Sequence, residues 1–310
     1  MESNKKVFEL SKKWIYRNAR PIDLARWQYH FENGSKENVI KALASYQNED
    51  GGFGYALEAD SWNPNSSPIQ TWAAIEILRE IDFLDGQHGI IQSILGYMDS
   101  GSNFINDVWQ NTIPSNNDYP HASWWNWTEN TLHYNPTANF CGFIIKYADR
   151  KSSLYNKGIS VAKEAIDHFI KTNEINEIGD GHLNLCYLRL KQYCEEANED
   201  SFFDTLGFHN KLLENIKLMF SNLQQDWCGD GVAFEFIRTY HDEFNLLPDK
   251  VDILEAVCHY LIKNQHADGT WNIPWNWNNY QEEWAISKNW WKAYGIIVNT
   301  LFLKTFGYIS

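Results

Sequence analysis

The amino-acid sequence predicts an all-α protein built from stacked helical hairpins, on three observations. Apolar residues recur at helical spacing along most of the chain. A short motif that ends one helix and leads into the next is repeated along the sequence. Strand signals, which would be alternating runs rich in β-branched residues, are nearly absent. No linker divides the chain, so we expect a single domain over residues 1–310.

The repeated motif is a small residue, an aromatic, an aliphatic and a glutamine, followed by Gly-x-aromatic. One good copy runs from Ala256 to Trp271, and residues 42–53 form another in which the upstream aromatic is alanine. Three weaker copies share parts of the spacing. We expect the glycines to end the helix, the glutamine to bind backbone groups and the aromatic ring to pack over it. Each motif is therefore predicted to be a structural joint between consecutive helices, and Asp50 and Asp268 are predicted to serve the turns.

The joints place the helices along the chain. Those that precede a joint are predicted at residues 36–47, 88–100, 158–172, 204–223 and 250–264. Those that follow a joint are predicted at 67–81, 136–148, 182–193, 232–240 and 288–306. An N-terminal pair near 5–17 and 22–33 completes six hairpins. Ser67 and Asn135 each precede a proline closely and are predicted to be N-caps.

Composition excludes several classes of partner. The formal charge is −14, which disfavours nucleic-acid phosphate and anionic membrane surfaces. No apolar run is long enough to span a bilayer, and the N-terminus has no apolar signal-peptide core. The five cysteines are an odd number, widely spaced and in apolar surroundings. We expect them to be reduced core thiols of a cytoplasmic protein. The oligomeric state stays open.

The Gln-x3-Gly-x-Trp/Phe motif, with its upstream small and aromatic positions, resembles the QW repeat of squalene–hopene and oxidosqualene cyclases. A related repeat occurs in the β subunits of protein prenyltransferases. The resemblance implies an α6/α6 toroid, in which two concentric rings of helices surround a central cavity. It also implies that the helix after each joint is an inner helix, whose N-terminal end lies at the cavity mouth. The chain is identified on this basis as a divergent member of the terpenoid cyclase and prenyltransferase superfamily.

The catalytic motifs of that superfamily are missing. There is no Asp-x-Asp-Asp acid and no Asp-Asp-x-x-Asp diphosphate motif. Asp226-Trp227-Cys228 has the first spacing of the prenyltransferase zinc site, but the helix after the last joint offers no histidine. The remaining histidines are scattered without ligand spacing. We therefore expect neither a metal nor a cofactor.

The loops that lead into the predicted inner helices are strongly acidic. They hold fifteen carboxylates against a single base, Lys288, over residues 48–67, 103–135, 174–181, 226–230 and 265–288. A diphosphate needs Arg, Lys or a metal to hold it. The expected ligand is therefore neutral, and a prenyl-diphosphate transferase is disfavoured.

The same loops concentrate tryptophan. Three interpretations stay open: the rings pack loops against helices, they line a cavity that stabilises a carbocation, or they are platforms for sugar rings. The candidate substrate-binding residues are Trp62, Trp72, Trp124, Trp127, Trp275, Trp277 and Trp284.

Glu58 and Asp60 are the sharpest catalytic candidates, because both lie among apolar and aromatic residues. Desolvation there would raise the pKa of a carboxyl group and make it a general acid. A structural role, as a helix cap or as a partner of an arginine in the N-terminal helices, is the alternative. Glu129 and Asp230 are second-tier catalytic candidates.

These observations leave three functional hypotheses. The first is a cyclase-like protein that binds a bulky neutral isoprenoid and cyclises or isomerises it by acid initiation. The second is a carbohydrate-active α6/α6 barrel, a glycoside hydrolase or lyase, with paired carboxylates and tryptophan platforms. The third is a non-catalytic binding protein.

Overall fold

The computed structural model describes residues 2–129, 133–172, 180–222, 235–237 and 250–309. It is 64% helix and 3% strand, which confirms the all-α prediction. The first helices are α1 (Glu2–Asn18), α2 (Pro21–Phe31), α3 (Lys36–Leu43), α4 (Pro68–Glu80), α5 (Gly89–Asp99) and α6 (Thr137–Tyr147). They are followed by α7 (Ser153–Lys171), α8 (Gly181–Ala197), α9 (Thr205–Asn222), α10 (Lys250–Asn264) and α11 (Gln281–Thr305). Short 3₁₀ helices lie at Ala44–Tyr46, Pro114–Asp118 and Ser123–Trp125.

Helix starts follow the expected cap chemistry in most places. The Ser67 hydroxyl accepts a hydrogen bond from the Gln70 N–H, with Pro68 in the first turn, as predicted. The predicted N-cap at Asn135 is wrong. Helix α6 begins one residue later than expected, at Thr137, after the cis Asn135-Pro136 bond. The Asn135 Oδ1 atom instead accepts a contact of 3.5 Å from the Cys186 thiol.

Two further differences separate the predicted and observed elements. Helix α11 begins at Gln281, seven residues before the predicted start. Its additional turns include the buried residues Trp284 and Ser287. An unpredicted antiparallel hairpin joins β1 (Phe104–Ile105) to β2 (Val108–Trp109). The predicted helix at 232–240 lies largely outside the described residues, as does the weak motif copy near residue 225.

The chain divides into two compact units. The first unit comprises Met1–Ser45 and Leu223–Ser310, and in it α11 packs against α1, α2 and α10 while α2 packs against α3. The second unit is Tyr46–Asn222, and in it α6 packs against α5, α7 and α8, while α9 packs against α7 and α8. The prediction of a single domain stays a prediction.

The four described cysteines, Cys141, Cys186, Cys194 and Cys258, are buried free thiols. Burial raises the pKa of Cys194 and of Cys258 to about 12. These thiols therefore stay protonated near neutral pH and are core residues, as the sequence predicts. Cys228 lies outside the described residues.

The first joint, residues 46–53, has the geometry that the motif predicts. The Gln47 amide donates a 3.0 Å hydrogen bond to the Gly51 carbonyl, and the Phe53 ring is fully buried. Gly51 has a φ of +89°, and a Cβ atom there would lie 2.0 Å from the Ser93 carbonyl oxygen of α5. Only glycine fits this position. Asp50 Oδ1 accepts the Gly52 N–H at 3.0 Å, which confirms its role in the turn.

The second joint, residues 264–271, repeats these contacts in the other unit. The Gln265 amide donates to the Gly269 carbonyl at 3.1 Å and also contacts the Val7 carbonyl and the Ser11 hydroxyl of α1. Gly269 has a φ of +97°, and a Cβ atom there would lie 2.4 Å from the Leu10 carbonyl oxygen. Asp268 Oδ1 accepts the Thr270 N–H at 3.1 Å. Both good copies of the motif are therefore structural joints that lock a turn against a neighbouring helix.

Candidate functional site

The first joint leads into a buried loop, residues 54–67, which we call the acid loop. Glu58 is 8% exposed and Asp60 is 2% exposed, so both predicted acids are withdrawn from solvent. Just before them, Tyr55 and Ala56 both have a φ of +58°, in the left-handed region that non-glycine residues rarely adopt. The Tyr55 N–H donates to the Asn63 carbonyl at 3.0 Å and holds this strained stretch in place. Backbone strain of this kind concentrates at functional sites.

Gln70 of α4 fixes the backbone of the acid loop through two hydrogen bonds. The Gln70 Oε1 atom accepts the Glu58 N–H at 2.8 Å, and its Nε2 atom donates to the Ser61 carbonyl at 2.7 Å. The Glu58 carboxylate accepts the Asp60 N–H at 3.0 Å. The two acids are thus fixed together, two residues apart on one loop. Gln70 is fully buried, and sequence reasoning missed it because it looks like a polar residue of an amphipathic helix.

A second segment, residues 113–127, lies against the acid loop, and we call it the tryptophan loop. The Ala122 N–H donates to the Asp60 carbonyl and the Trp62 N–H donates to the Pro120 carbonyl, both at 2.9 Å. A single bridge also pairs Ser61 with His121. The backbone of Asp60 therefore connects the acids directly to the tryptophan-bearing segment.

Asparagine side chains hold the tryptophan loop in shape. The Asn63 amide donates to the Ser115 hydroxyl at 2.8 Å and to Asn116 Oδ1 at 2.9 Å. The Asn116 amide then donates to the Trp125 carbonyl at 3.1 Å. Asn117 Oδ1 accepts the Trp127 N–H at 3.0 Å. The backbone on both sides of the tryptophans is thus fixed by amide groups that belong to the same two loops.

His121 also binds groups of the tryptophan loop. It is 6% exposed, and its Nδ1 and Nε2 atoms lie 2.6 Å from the Tyr119 carbonyl and 2.7 Å from Asn126 Oδ1. His121 was interpreted from the sequence as one of several scattered structural histidines, and its contacts agree with that role. Asn63, Asn116 and Asn117 were missed, since solvent-exposed asparagines in a loop give the same sequence signal.

The rings of these two loops differ in exposure. Trp124 is 46% exposed and Tyr55 is 54% exposed, whereas Trp62 and Trp127 are half-buried, as is Trp72 of α4. Within the described part of the chain, three buried donors, two in these loops and one on α4, have no acceptor. They are the Ser61 hydroxyl and the indole N–H groups of Trp72 and Trp125. Buried donors without an acceptor are rare in proteins, so these three groups distinguish this region from an ordinary core.

The charge of the two loops agrees with the sequence argument. Neither residues 54–67 nor residues 113–127 contain a lysine or arginine. Among the described residues no cluster of histidine, cysteine and carboxylate side chains could hold a metal ion. An anionic phosphate group would therefore find neither a cation nor a metal ligand set in these two loops.

Of the two second-tier catalytic candidates, the structure describes only Glu129. Glu129 is exposed at the edge of a described segment. Asp230, and with it the Asp226–Cys228 spacing, lies outside the described residues.

The three remaining candidate tryptophans belong to the first unit. Trp277 is fully buried and packs against Trp284, which is 5% exposed, at a centroid distance of 5.7 Å. Trp275 is half-buried and meets the Trp291 ring edge-on at 5.1 Å. Trp277 and Trp284 thus pack within the core of their unit, as the first of the three interpretations of the tryptophans holds.

Comparison with known proteins adds no relative to this picture. No protein-family model, no curated protein and no solved structure matches the chain. Among the described residues, no helix has the length and apolar character needed to cross a membrane.

Proposed function

We propose that the protein binds a neutral, hydroxyl-rich ligand, a glycan, on the face formed by the acid loop and the tryptophan loop. The observation that carries the proposal is the exposed ring of Trp124, 46% accessible, on a loop whose backbone is fixed by asparagine side chains. An exposed indole offers a flat apolar face to a pyranose ring. A loop that is fixed before binding loses little conformational entropy when the ligand arrives.

The polar groups around the rings suit hydroxyl groups. The unpartnered donors at Ser61, Trp72 and Trp125 require oxygen acceptors, which a hydrocarbon lacks. Glu58 and Asp60 supply carboxylate oxygens that accept hydrogen bonds from hydroxyls. The absence of lysine and arginine from both loops favours a neutral sugar over a phosphorylated or uronic one.

Cleavage of the glycan is an extension of this proposal. Glycoside hydrolysis uses two carboxyl groups on opposite sides of the scissile bond, about 5 to 10 Å apart. Glu58 and Asp60 are neighbours on one loop, so they lie on one side of a bound sugar, and cleavage requires a further carboxyl group on the other side. Of the two we assign the acid role to Asp60, which is the more buried. The Asp60→Asn variant is expected to retain glycan binding and to lose any cleavage, as measured by product release from a bound oligosaccharide.

Tryptophan fluorescence tests the binding proposal. Cellohexaose, maltohexaose and chitohexaose are titrated separately into the protein, with geranylgeraniol as an isoprenoid arm. We expect at least one hexasaccharide to change the emission, and Trp124→Ala to weaken that binding at least tenfold. Tyr280→Ala, which removes a 40% exposed ring in the first unit, is the matched control and should bind normally.

Two results would overturn the glycan proposal. One is a response to geranylgeraniol with none to any hexasaccharide. The other is hexasaccharide binding that Trp124→Ala leaves unchanged, since the ring would then not be the platform. Ser61→Ala sharpens the result, because it should weaken binding while leaving the unliganded protein at least as stable.

The second candidate function is the cyclase-like one, and the geometry of the joints favours it. Both joints form the glutamine–glycine contact that the resemblance to the QW repeat implies. On this hypothesis the chain is an α6/α6 toroid of the terpenoid cyclase superfamily, and Glu58 or Asp60 protonates an isoprenoid. Trp72, Trp124 and Trp127 of the second unit would then line the ligand site. Release of a cyclised or isomerised product from a polyprenol, abolished in Asp60→Asn, is the result that would support it. A non-catalytic binding protein is what remains if ligand binds and no product forms.

A further inference from the structure

Tyr55 is the one exposed residue in an otherwise buried stretch, residues 51–61. It is 54% exposed. Among the described residues its hydroxyl has no hydrogen-bond partner, and its ring contacts no other aromatic ring. The fold therefore gains little from this side chain, because much of the ring stays in water and its polar atom binds nothing in the protein.

The turn that carries Tyr55 is one that tyrosine does not favour. The Leu57 N–H donates to the Gly54 carbonyl at 3.3 Å, which closes a turn. The two central residues, Tyr55 and Ala56, both have a φ of +58°. Turns with two left-handed central residues are dominated by glycine, asparagine and aspartate, since a larger side chain is strained there. Residues that break a local rule in this way concentrate at functional sites.

One buried asparagine connects this turn to the tryptophan loop. The Asn63 carbonyl accepts the Tyr55 N–H at 3.0 Å, and the Asn63 amide donates to Asn116 Oδ1 at 2.9 Å. The Asn116 amide donates in turn, at 3.1 Å, to the carbonyl of Trp125, which follows Trp124 in the chain. Three hydrogen bonds and two asparagine side chains thus join the two backbones, which lie within about 20 Å of each other. Both exposed rings therefore belong to one fixed network.

We propose that Tyr55 and Trp124 are two platforms of a single site, and that its ligand is an oligosaccharide long enough to cover both rings. The inference rests on the proposed glycan binding and specifies the size of the glycan. One sugar unit stacks on the Trp124 ring and another on the Tyr55 ring. The second contact forms at a high effective concentration once the first is made, so two weak contacts give one tighter complex.

The length of the glycan tests the two-platform site. Cellobiose, maltose and chitobiose are titrated beside the hexasaccharides of the same linkages, with tryptophan fluorescence as the readout. We expect the hexasaccharide that binds to do so at least tenfold more tightly than its disaccharide, because only the longer ligand reaches both rings. Equal affinities for the two lengths would contradict the two-platform site and leave glycan binding intact.

Variants of Tyr55 then locate the second platform. Tyr55→Ala is expected to weaken hexasaccharide binding at least tenfold, to the affinity of the disaccharide. Tyr55→Phe keeps the ring and should bind normally, so a loss in this variant would rule out stacking as the contact. Tyr280→Ala is the matched control, since Tyr280 is a 40% exposed tyrosine of the first unit with a similar φ of +55°. It should leave the affinity unchanged.

Tyr55→Gly separates binding from folding. Glycine adopts a left-handed φ without strain, so the midpoint of urea unfolding should be at least that of the wild type. Hexasaccharide binding should nevertheless weaken at least tenfold. A clearly lower midpoint would mean that the fold needs the ring, and would refute the assignment of Tyr55 as a platform.

The two levels of the proposal fail in different ways. Hexasaccharide binding that Trp124→Ala weakens and Tyr55→Ala does not would leave a one-ring glycan site, and the second platform would be wrong. Absence of hexasaccharide binding to the wild type would overturn the glycan proposal itself, and the two-platform site with it.

Discussion

Two segments that both combine tryptophan with asparagine use their asparagines in opposite ways. In the tryptophan loop, residues 113–127, Asn116, Asn117 and Asn126 all bind groups of the same loop. In residues 272–280 of the first unit, the asparagines are exposed and have no hydrogen-bond partner among the described residues: Asn272, Asn276, Asn278 and Asn279. The first segment is thus fixed by its own amides, and the second presents its amides to water.

This difference decides which segment is suited to bind a ligand through its rings. In the tryptophan loop Trp124 is exposed, and the Asn116 amide fixes the backbone beside it through a hydrogen bond to the Trp125 carbonyl. In the other segment Trp277 is buried and Trp275 packs edge-on against Trp291, so both rings contribute to the packing of their unit. A run of tryptophan and asparagine therefore does not by itself indicate a binding surface. A binding surface is indicated where asparagine side chains fix the backbone around an exposed ring.

The largest expected effect on the free energy of unfolding concerns the two joints, of which each unit contains one. Gly51→Ala and Gly269→Ala are each expected to lower the free energy of unfolding by about 4 kcal/mol, since a left-handed φ and an overlap with a helix backbone act together. Gly101→Ala is the control, because Gly101 has a φ of +74° but no atom within 4 Å of an added Cβ. It should cost about 1 kcal/mol in urea unfolding. Equal losses in all three variants would show that the contact with the neighbouring helix contributes nothing.

The next largest effect on the free energy of unfolding compares an asparagine that binds the tryptophan loop with one in residues 272–280. Asn63→Ala removes the amide that bonds Ser115 and Asn116, and should cost about 3 kcal/mol because buried partners lose their hydrogen bonds. Asn276→Ala, on the exposed segment, should change the free energy of unfolding by less than about 0.5 kcal/mol. Urea unfolding of both variants measures the contrast. Similar values would mean that the amide network is not what holds the tryptophan loop.

Much of the fold could be predicted from the sequence, because local patterns determine it. The spacing of Gln47, Gly51 and Phe53 encodes a turn that its own residues complete, and the Ser67 cap needs only the next three residues. Asn135 shows the limit. Its side chain bonds Cys186, fifty-one positions away, instead of capping α6, and no local pattern could reveal that.

The candidate site was predicted only in part. Glu58 and Asp60 stand out in the sequence because acids are unusual among apolar residues, and their catalytic role stays a prediction. Gln70 and Asn63 were missed, since Gln70 binds backbone groups of an irregular loop and Asn63 binds side chains of a distant segment. The indole rings could not be sorted from sequence, because Trp124 and Trp277 stand in similar strings and differ only in burial.

A smaller effect on stability is expected at Asp268, in the turn of the second joint. Burial raises the pKa of Asp268, but hydrogen bonds from the Thr270 hydroxyl and N–H outweigh it, so the pKa lies below its ordinary value of 3.8. A lowered pKa in the folded state stabilises the protein above the unfolded pKa, and this contribution is lost as the pH falls through the folded value. We therefore expect the stability difference between the wild type and Asp268→Asn to shrink between pH 6 and pH 2.

Thr270→Val checks the cause of that shift. It removes one of the two hydrogen bonds to the Asp268 carboxylate and should raise the pKa of Asp268, as followed by carboxyl carbon NMR. An unchanged titration would assign the lowered pKa to the remaining N–H hydrogen bond and to the charges of Lys292 and His266, and not to the hydroxyl.

Hydrogen–deuterium exchange of the ligand-free protein tests the central claim, that the tryptophan loop is fixed before any ligand binds. Its N–H groups at Asn116, Ala122, Trp125 and Trp127 all have acceptors. Residues 272–277 form no helix, strand or turn. We predict clearly slower exchange in 113–127 than in 272–280 within the same sample. Exchange in 113–127 that is as fast as in 272–280 would contradict the account.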